Sequence, residues 1–202
     1  MKKTFLLIAF LSIAFFNKLN AQGFEEGKMY ISAGFGGPYL ASIVSTAVLT
    51  SSSNVNTTTI FPMYLKGEVA ISDNVGVGLN IAFAGLNLTG THINSSSNNP
   101  LNSNYTDNAK YRTVSGLLRF NYHFIKAQKF DPYFGVGFGY RWGQWTYSST
   151  DPTYDFGASK TYFPFGMDMT LGCRYMFSDN IGAYVEMGIA KSPFQFGATF
   201  RF

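Results

Sequence analysis

Large apolar residues and small or polar ones alternate with a period of two along most of the chain from residue 28 onward, and no stretch there sustains a helical period. The alternation predicts eight β-strands, near residues 28–40, 60–71, 75–87, 111–124, 132–146, 161–177, 181–190 and 194–202. In the third, Val75, Val77, Leu79, Ile81 and Phe83 alternate with Gly76, Gly78, Asn80, Ala82 and Ala84. In the fifth, Phe134, Val136, Phe138, Tyr140 and Trp142 alternate with Gly135, Gly137, Gly139 and Arg141. The sixth sets Phe165, Met167, Met169, Leu171, Cys173, Tyr175 and Phe177 against Gly166, Asp168, Thr170, Gly172 and Arg174. One face of each strand is bulky and apolar, and the charges keep to the other.

Volume decides which face points inward. An eight-stranded barrel has an interior just wide enough to be filled by side chains, and about five bulky residues per strand would not fit there. The Gly, Ala, Ser and Thr face fits, leaving the bulky face outside, where only lipid rewards it. Most predicted strands reach the ~9–11 residues that a tilted strand needs to cross a bilayer. Short turns at Ser72-Asp73-Asn74, Ser178-Asp179-Asn180 and residues 125–131 alternate with longer connections at 41–59, 88–110 and 147–160. That is the layout of a barrel with short periplasmic turns and long outer loops; Lys191-Ser192-Pro193 leaves the fourth outer loop very short. The fold class expected is therefore all-β: an eight-stranded, antiparallel, up-and-down transmembrane β-barrel.

Composition adds the route to the membrane. Lys2 and Lys3 precede an apolar run from Phe5 to Phe16, and Leu19-Asn20-Ala21 completes the layout of a secretory signal peptide over residues 1–21, leaving a barrel domain over 22–202. The run is shorter than the ~20 apolar residues of a membrane-spanning helix, and no cysteine near Ala21 offers a lipid anchor. Loss of Lys2, Lys3 and Lys18 lowers the formal net charge of +4 by three, so nothing points to a nucleic-acid partner. Cys173 is the only cysteine, which excludes an intramolecular disulfide. Charged residues make up 13% of the chain and aromatics 18%, with 21 glycines. A soluble domain has about a quarter charged residues.

The last strand, Phe194-Gln195-Phe196-Gly197-Ala198-Thr199-Phe200-Arg201-Phe202, places a polar residue, a glycine two positions on, and two aromatics at alternate positions up to the final residue. Gln195, Gly197, Phe200 and Phe202 thus resemble the terminal signal read by the β-barrel assembly machinery of Gram-negative bacteria. With the leader and the run Asp131-Pro132-Tyr133-Phe134-Gly135-Val136-Gly137-Phe138-Gly139-Tyr140, the chain resembles the small outer-membrane beta-barrel domain family of the OmpX, OmpW and OmpA-barrel types. The resemblance covers Gly27 to Phe202 and implies a monomer in the lipids of the cell outer membrane. It leaves activity open, since such barrels serve as structural proteins, adhesins, small-molecule channels and lipid-modifying enzymes.

Alternation directs Lys66, Glu68, Arg119, Arg141, Asp168, Arg174, Glu186 and Arg201 into the lumen. Buried charges must pair or stay hydrated, so a network is expected around Lys66, Glu68, Arg119, Arg174 and Glu186, with Arg174 one diagonal step from Glu186. Such a network reads as a plug, or alternatively as a selective ion path. For catalysis the sequence offers little. A lipid A deacylase of the PagL type uses His-x-Ser, whereas His92 precedes Ile93 and Asn94 in an expected loop, and His123 has no adjacent nucleophile. Both histidines read as incidental polar residues, and with one cysteine they assemble no metal set. The glycines from Gly135 to Gly139 follow a strand period, which argues for lumen space and against a phosphate loop.

The outer loops are rich in Ser, Thr and Asn, as at residues 51–59 and 94–104, and suit contact with an extracellular ligand. Leu40, Ile43, Val44, Val48 and Leu49, near a loop root, suit a way in for hydrophobic molecules of the kind the OmpW type is thought to provide, an extension of the first strand, or packing at the rim. The expectation is a structural or surface-interaction role through the loops, without catalysis or cofactor. A narrow channel for small or hydrophobic solutes is the alternative, and a lipid A-modifying enzyme the third reading.

Overall fold

The computed structural model describes residues 23–49, 55–94, 103–125, 127, 129–151, 157–160 and 164–202. The expected leader lies outside them. The described elements are β1 (Met29–Gly36), α1 (Leu40–Leu49), β2 (Asn56–Ser72), β3 (Val75–Asn94), β4 (Ser103–His123), β5 (Phe130–Ser149), β6 (Ala158–Lys160), β7 (Phe165–Met176), β8 (Ile181–Ile189) and β9 (Phe194–Arg201). Every strand pairing is antiparallel. Both β6 and β7 pair with the same edge of β5, through Gln144↔Lys160 and Tyr140↔Phe165, so the nine strands fill eight positions. β9 returns to β1 from Tyr30↔Arg201 to Gly36↔Gln195 and closes the ring. Closure removes the free sheet edge, the condition for a strand structure to cross hydrocarbon.

The two faces separate as the period of two requires. β1 reads exposed-buried throughout, as does most of β7. The exposed set includes Leu79, Phe138, Leu171, Val185 and Phe196, while Lys66, Glu68, Arg119, Asp168, Arg174 and Glu186 are buried. A charged interior with a greasy exterior inverts a soluble protein and matches lipid as the outer solvent. Cys173 has the outward phase and is half-buried.

Both Ser-Asp-Asn turns are built alike. The Ser72 hydroxyl accepts from the amides of Asn74 and Val75, and the Ser178 hydroxyl accepts from the Ile181 amide. Each turn asparagine then reaches sideways: Asn74 Nδ2 donates to the His123 carbonyl at 2.8 Å and Asn180 Nδ2 to the Arg201 carbonyl at 2.9 Å. The side chains thereby satisfy backbone groups that the tight turns leave unpaired.

Three expectations are corrected. The first strand does not run to residue 40; it ends at Gly36, and Leu40–Leu49 forms a helix. Pro38 cannot donate to a ladder, and the next ten residues are all apolar or small, so they show no periodic contrast from which a helix could be read. Second, much of the expected long loops is strand. β3 runs to Asn94, β4 begins at Ser103, and their pairing continues to Asn94↔Ser103. Thr, Tyr and Asn residues carry the ladder there without an apolar face to mark it. His92 accordingly lies in β3, opposite Tyr105, and not in a loop. Third, the connection expected at 147–160 contains a short strand, β6, while the strand expected at 161–177 is described as β7, with 161–163 outside the described residues.

Candidate functional site

The lower half of the lumen, at the Ser-Asp-Asn turn end, is filled by one connected set of charged and polar side chains. Glu68 on β2 is its lower hub. Its Oε2 meets Arg174 at 2.6 Å, and its Oε1 accepts from Asn121 Nδ2 at 2.7 Å and faces His123 Nε2 at 3.0 Å. Asp131 completes this lobe, with one carboxylate oxygen 2.5 Å from His123 Nδ1 and the other 3.2 Å from Arg174. Above it, Glu186 takes Lys66 at 2.8 Å, Arg119 at 3.0 Å and the Tyr133 hydroxyl at 2.8 Å. Lys66 also donates to Gln195 Oε1, and Arg119 to Asn121 Oδ1 and Thr170 Oγ1. Asp168 accepts from Asn80 at 2.7 Å and lies 3.9 Å from Arg119. Arg119 and Asn121 therefore join the lobes into a single network.

Small residues make room for it. A Cβ added at Gly76 would collide with Glu68, at Gly135 with Arg119 and Asn121, at Gly137 with Asp168, and at Gly172 with Tyr133. Aromatic rings fill the remaining gaps: the Arg174 guanidinium lies 4.3 Å from the centroid of Tyr30, and Lys66 Nζ 4.6 Å from that of Tyr184. From below, Phe24 stacks on His123 at 3.5 Å between centroids and on Tyr30 at 5.3 Å. The void left within the network is about 20 Å³. A buried water occupies at least about 10–15 Å³ of such space, so the gap holds roughly one water and no file of them.

The upper half of the lumen differs. Tyr39, Ala84, Leu86 and Tyr111 form an apolar cluster with Trp145 and Ala41 packed against it, and Leu40, Ala41 and Val44 of α1 line the space beside it. Beneath lies a cavity of about 770 Å³, floored by Asn80 and Asp168. Lys191, in the turn between β8 and β9, reaches across to donate to Thr113 on β4 at 2.9 Å. An interior entirely of small and charged side chains was the expectation; above the network it is aromatic and aliphatic.

The eight expected lumen charges are thus divided. Lys66, Glu68, Arg119, Asp168, Arg174 and Glu186 share the network. Arg141 lines the upper cavity instead. Arg201 sits at the lower rim, donating to the Asp179 carbonyl at 2.6 Å with the Asp179 carboxylate 3.9 Å away. Nor does Arg174 take Glu186 as its diagonal partner: its two nitrogens go to Glu68 and Asp131, across the lumen and on the neighbouring strand. His123, expected to be incidental, is wedged between two carboxylates. Asp131 was assigned to a turn, yet it shares the inward phase of Tyr133 and Gly135, and that phase was the available signal. In the last strand, Gln195 joins the network, Gly197 lies against Ala33 and Gly34 too closely for a side chain, and Phe200 and Phe202 are exposed.

Comparison with known proteins gives the chain its relatives. Residues 5–202 match the family model described as outer membrane protein beta-barrel domain. No curated protein sequence matches. Among solved structures, the N-terminal beta-barrel domain of Pseudomonas aeruginosa OprF is 14% identical with TM-score 0.46, covering 88% of this chain and 98% of its own. The attachment invasion locus protein Ail of Yersinia pestis, solved with the heparin analogue sucrose octasulfate, is also 14% identical, with TM-score 0.47 and coverage of 88% and 99%. OprG of Pseudomonas aeruginosa is again 14% identical, with TM-score 0.43 and coverage of 89% and 98%. By the family match over nearly its whole length, the chain belongs to the outer membrane protein beta-barrel domain family and is a protein of the outer membrane.

Proposed function

We propose that the protein is a stoppered, non-conducting barrel with a structural or surface-interaction role, exercised through the hairpins that stand above the outer leaflet. The observation that carries this reading is the interlocked network: four carboxylates, three cations and His123 fill the lower lumen and leave room for about one water. A path for ions or solutes would have to break several buried ion pairs at once. Removing one partner of such a pair costs about 3–5 kcal/mol, so thermal fluctuation does not open it at a useful rate. The alternative of a solute channel is disfavoured on this ground.

The outer side supports an interaction role by its reach. β3 has 20 residues and β4 has 21, whereas about 9–11 suffice to cross, so roughly half of this hairpin projects beyond the bilayer. In this reading the chain is monomeric, with the ring closed on itself, and needs no cofactor or catalytic group. Its leader is cleaved after Ala21, and its terminal Gln195, Gly197, Phe200 and Phe202 are read by the assembly machinery. Conductance across a planar bilayer tests the stopper: a barrel shown to be folded by its heat-modifiable gel shift should pass no discrete current steps. Reproducible steps would replace this reading by the channel. Loss of acyl chains from lipid A in cells expressing the protein would instead establish the enzyme.

A further inference from the structure

At the lower end of the network, His123 is held in a way that fixes its proton count. Its Nδ1 faces Asp131 Oδ1 at 2.5 Å and its Nε2 faces Glu68 Oε1 at 3.0 Å. A neutral imidazole has one N–H and one bare nitrogen, so between two ionised acids it would turn a lone pair onto a carboxylate oxygen. An imidazolium donates to both. The charge balance agrees: Glu68, Asp131, Asp168 and Glu186 face Lys66, Arg119 and Arg174, and a protonated His123 supplies the fourth positive charge. A buried charge left unmatched is costly.

The ring of Phe24 lies 3.5 Å from that of His123, centroid to centroid, with the planes 10° apart. Two neutral aromatic rings avoid so direct a face-to-face stack and prefer to slide or tilt, whereas a cation is attracted to the face of a ring. The stack therefore asks for imidazolium independently of the acids. The histidine ring is faced by Glu68 from β2, by Asp131 and the tilted Tyr133 ring from β5, and by Phe24, while Arg174 from β7 takes the remaining oxygen of each acid. Arg201, at the rim, is turned to Asp179.

Phe24 belongs to residues 23–27, which cross the mouth of the lumen beneath the network. At one end the Gly27 amide donates to the Ala70 carbonyl on β2, and at the other the Gly23 amide donates to the Ala127 carbonyl between β4 and β5, both at 2.9 Å. The Tyr30 hydroxyl donates to the Gly23 carbonyl and accepts from the Glu25 amide. Gly23 and Phe24 are buried, and a Cβ at Gly23 would stand 3.2 Å from that of Asp131. The segment thus touches both His123 and one of its acids.

We infer that residues 23–27 form a lid on the periplasmic mouth, and that its catch is a single proton on His123. With the proton in place, the imidazolium bridges Glu68 and Asp131 and seats Phe24. When the pH rises and the proton leaves, one carboxylate meets a bare nitrogen, the stack loses the cation that favours it, and the lid releases. The lobe built on Glu186 stays packed above, so conductance tests the stopper separately.

The chain has two histidines and one cysteine. The His92→Gln protein therefore carries His123 alone, and with isotope-labelled histidine both of its ring nitrogens should show protonated-type nitrogen shifts at neutral pH. One bare nitrogen there would overturn the catch. For the lid, a nitroxide on Glu26→Cys in the Cys173→Ser background should be immobilised at neutral pH and become mobile over the same pH interval in which His123 loses its proton. Phe24→Leu keeps the apolar contact without the ring face and should release the lid about one pH unit lower. His123→Gln, in protein shown to be folded by its heat-modifiable shift, should remove the pH dependence. A nitroxide still immobile after His123 has lost its proton would overturn the lid. Release at an unchanged pH in Phe24→Leu would overturn the role of the stack, and pH-dependent release in the folded His123→Gln protein would overturn the assignment of the catch to His123.

Discussion

The lower and upper halves of the lumen are cut from the same strands but packed by opposite rules. β3 contributes Asn80 below and Leu86 above; β4 contributes Arg119 and Asn121 below and Tyr111 above. Below, charge is matched against charge at hydrogen-bond distance and almost no volume is left. Above, apolar surface faces an unfilled space of about 770 Å³. A region whose buried charges are paired with one another and tightly packed holds the strands in register.

The contrast is most easily broken at its lower hub. Glu68→Gln leaves Arg174 and His123 in the lumen without that charge, and should destabilise the barrel by about 3–5 kcal/mol in urea unfolding from detergent micelles. A loss near 1 kcal/mol would mean that water already enters the network. Glu186→Gln should lower resistance to heat in detergent comparably, while Lys66→Met added to it should recover part of the loss, because the stranded charge is then gone. Next in size, Gly135→Ala pushes a methyl group into Arg119 and Asn121 and should cost about 1–3 kcal/mol as overpacking. By contrast, Leu86→Ala in the upper half enlarges a space that is already open and should cost about 2 kcal/mol, the low end for such a truncation. The smallest effect is expected at the turns: Asn180→Ala removes one bond to the Arg201 carbonyl and about 1 kcal/mol. If Leu86→Ala proved as damaging as Glu68→Gln, the two halves would not differ in the way their packing implies.

The barrel was legible in the sequence because strand alternation with five bulky residues on one face admits only one solvent. The inward facing of Lys66, Glu68, Arg119, Asp168, Arg174 and Glu186 follows from the same phase. Their partners were not legible. Pairing in the lumen is set by distances across the barrel and by the stagger of the strands, so Arg174 meets Glu68 from an opposite wall while the nearer diagonal predicts Glu186. Asp131 falls at the end of the connection expected at 125–131, one residue before the expected strand, although it continues the inward phase of Tyr133 and Gly135. α1 and the projecting parts of β3 and β4 lacked periodic contrast: one is uniformly apolar or small, the other largely polar on both faces.

The spacing of the network along the chain bears on how the barrel is assembled. Glu68 and Arg174 are 106 residues apart, Lys66 and Gln195 are 129, and Ser32 and Thr199, joined by their hydroxyls, are 167. Lys66, Glu68, Arg119 and Glu186 form the ion pairs given above with strands beyond their own hairpins. A sheet that lacked its last strands would carry bare ammonium and carboxylate groups toward hydrocarbon, and contacts so remote in sequence form late. Neutralisation and ring closure therefore coincide. The network is therefore complete only in a chain whose eight strand positions are all in place.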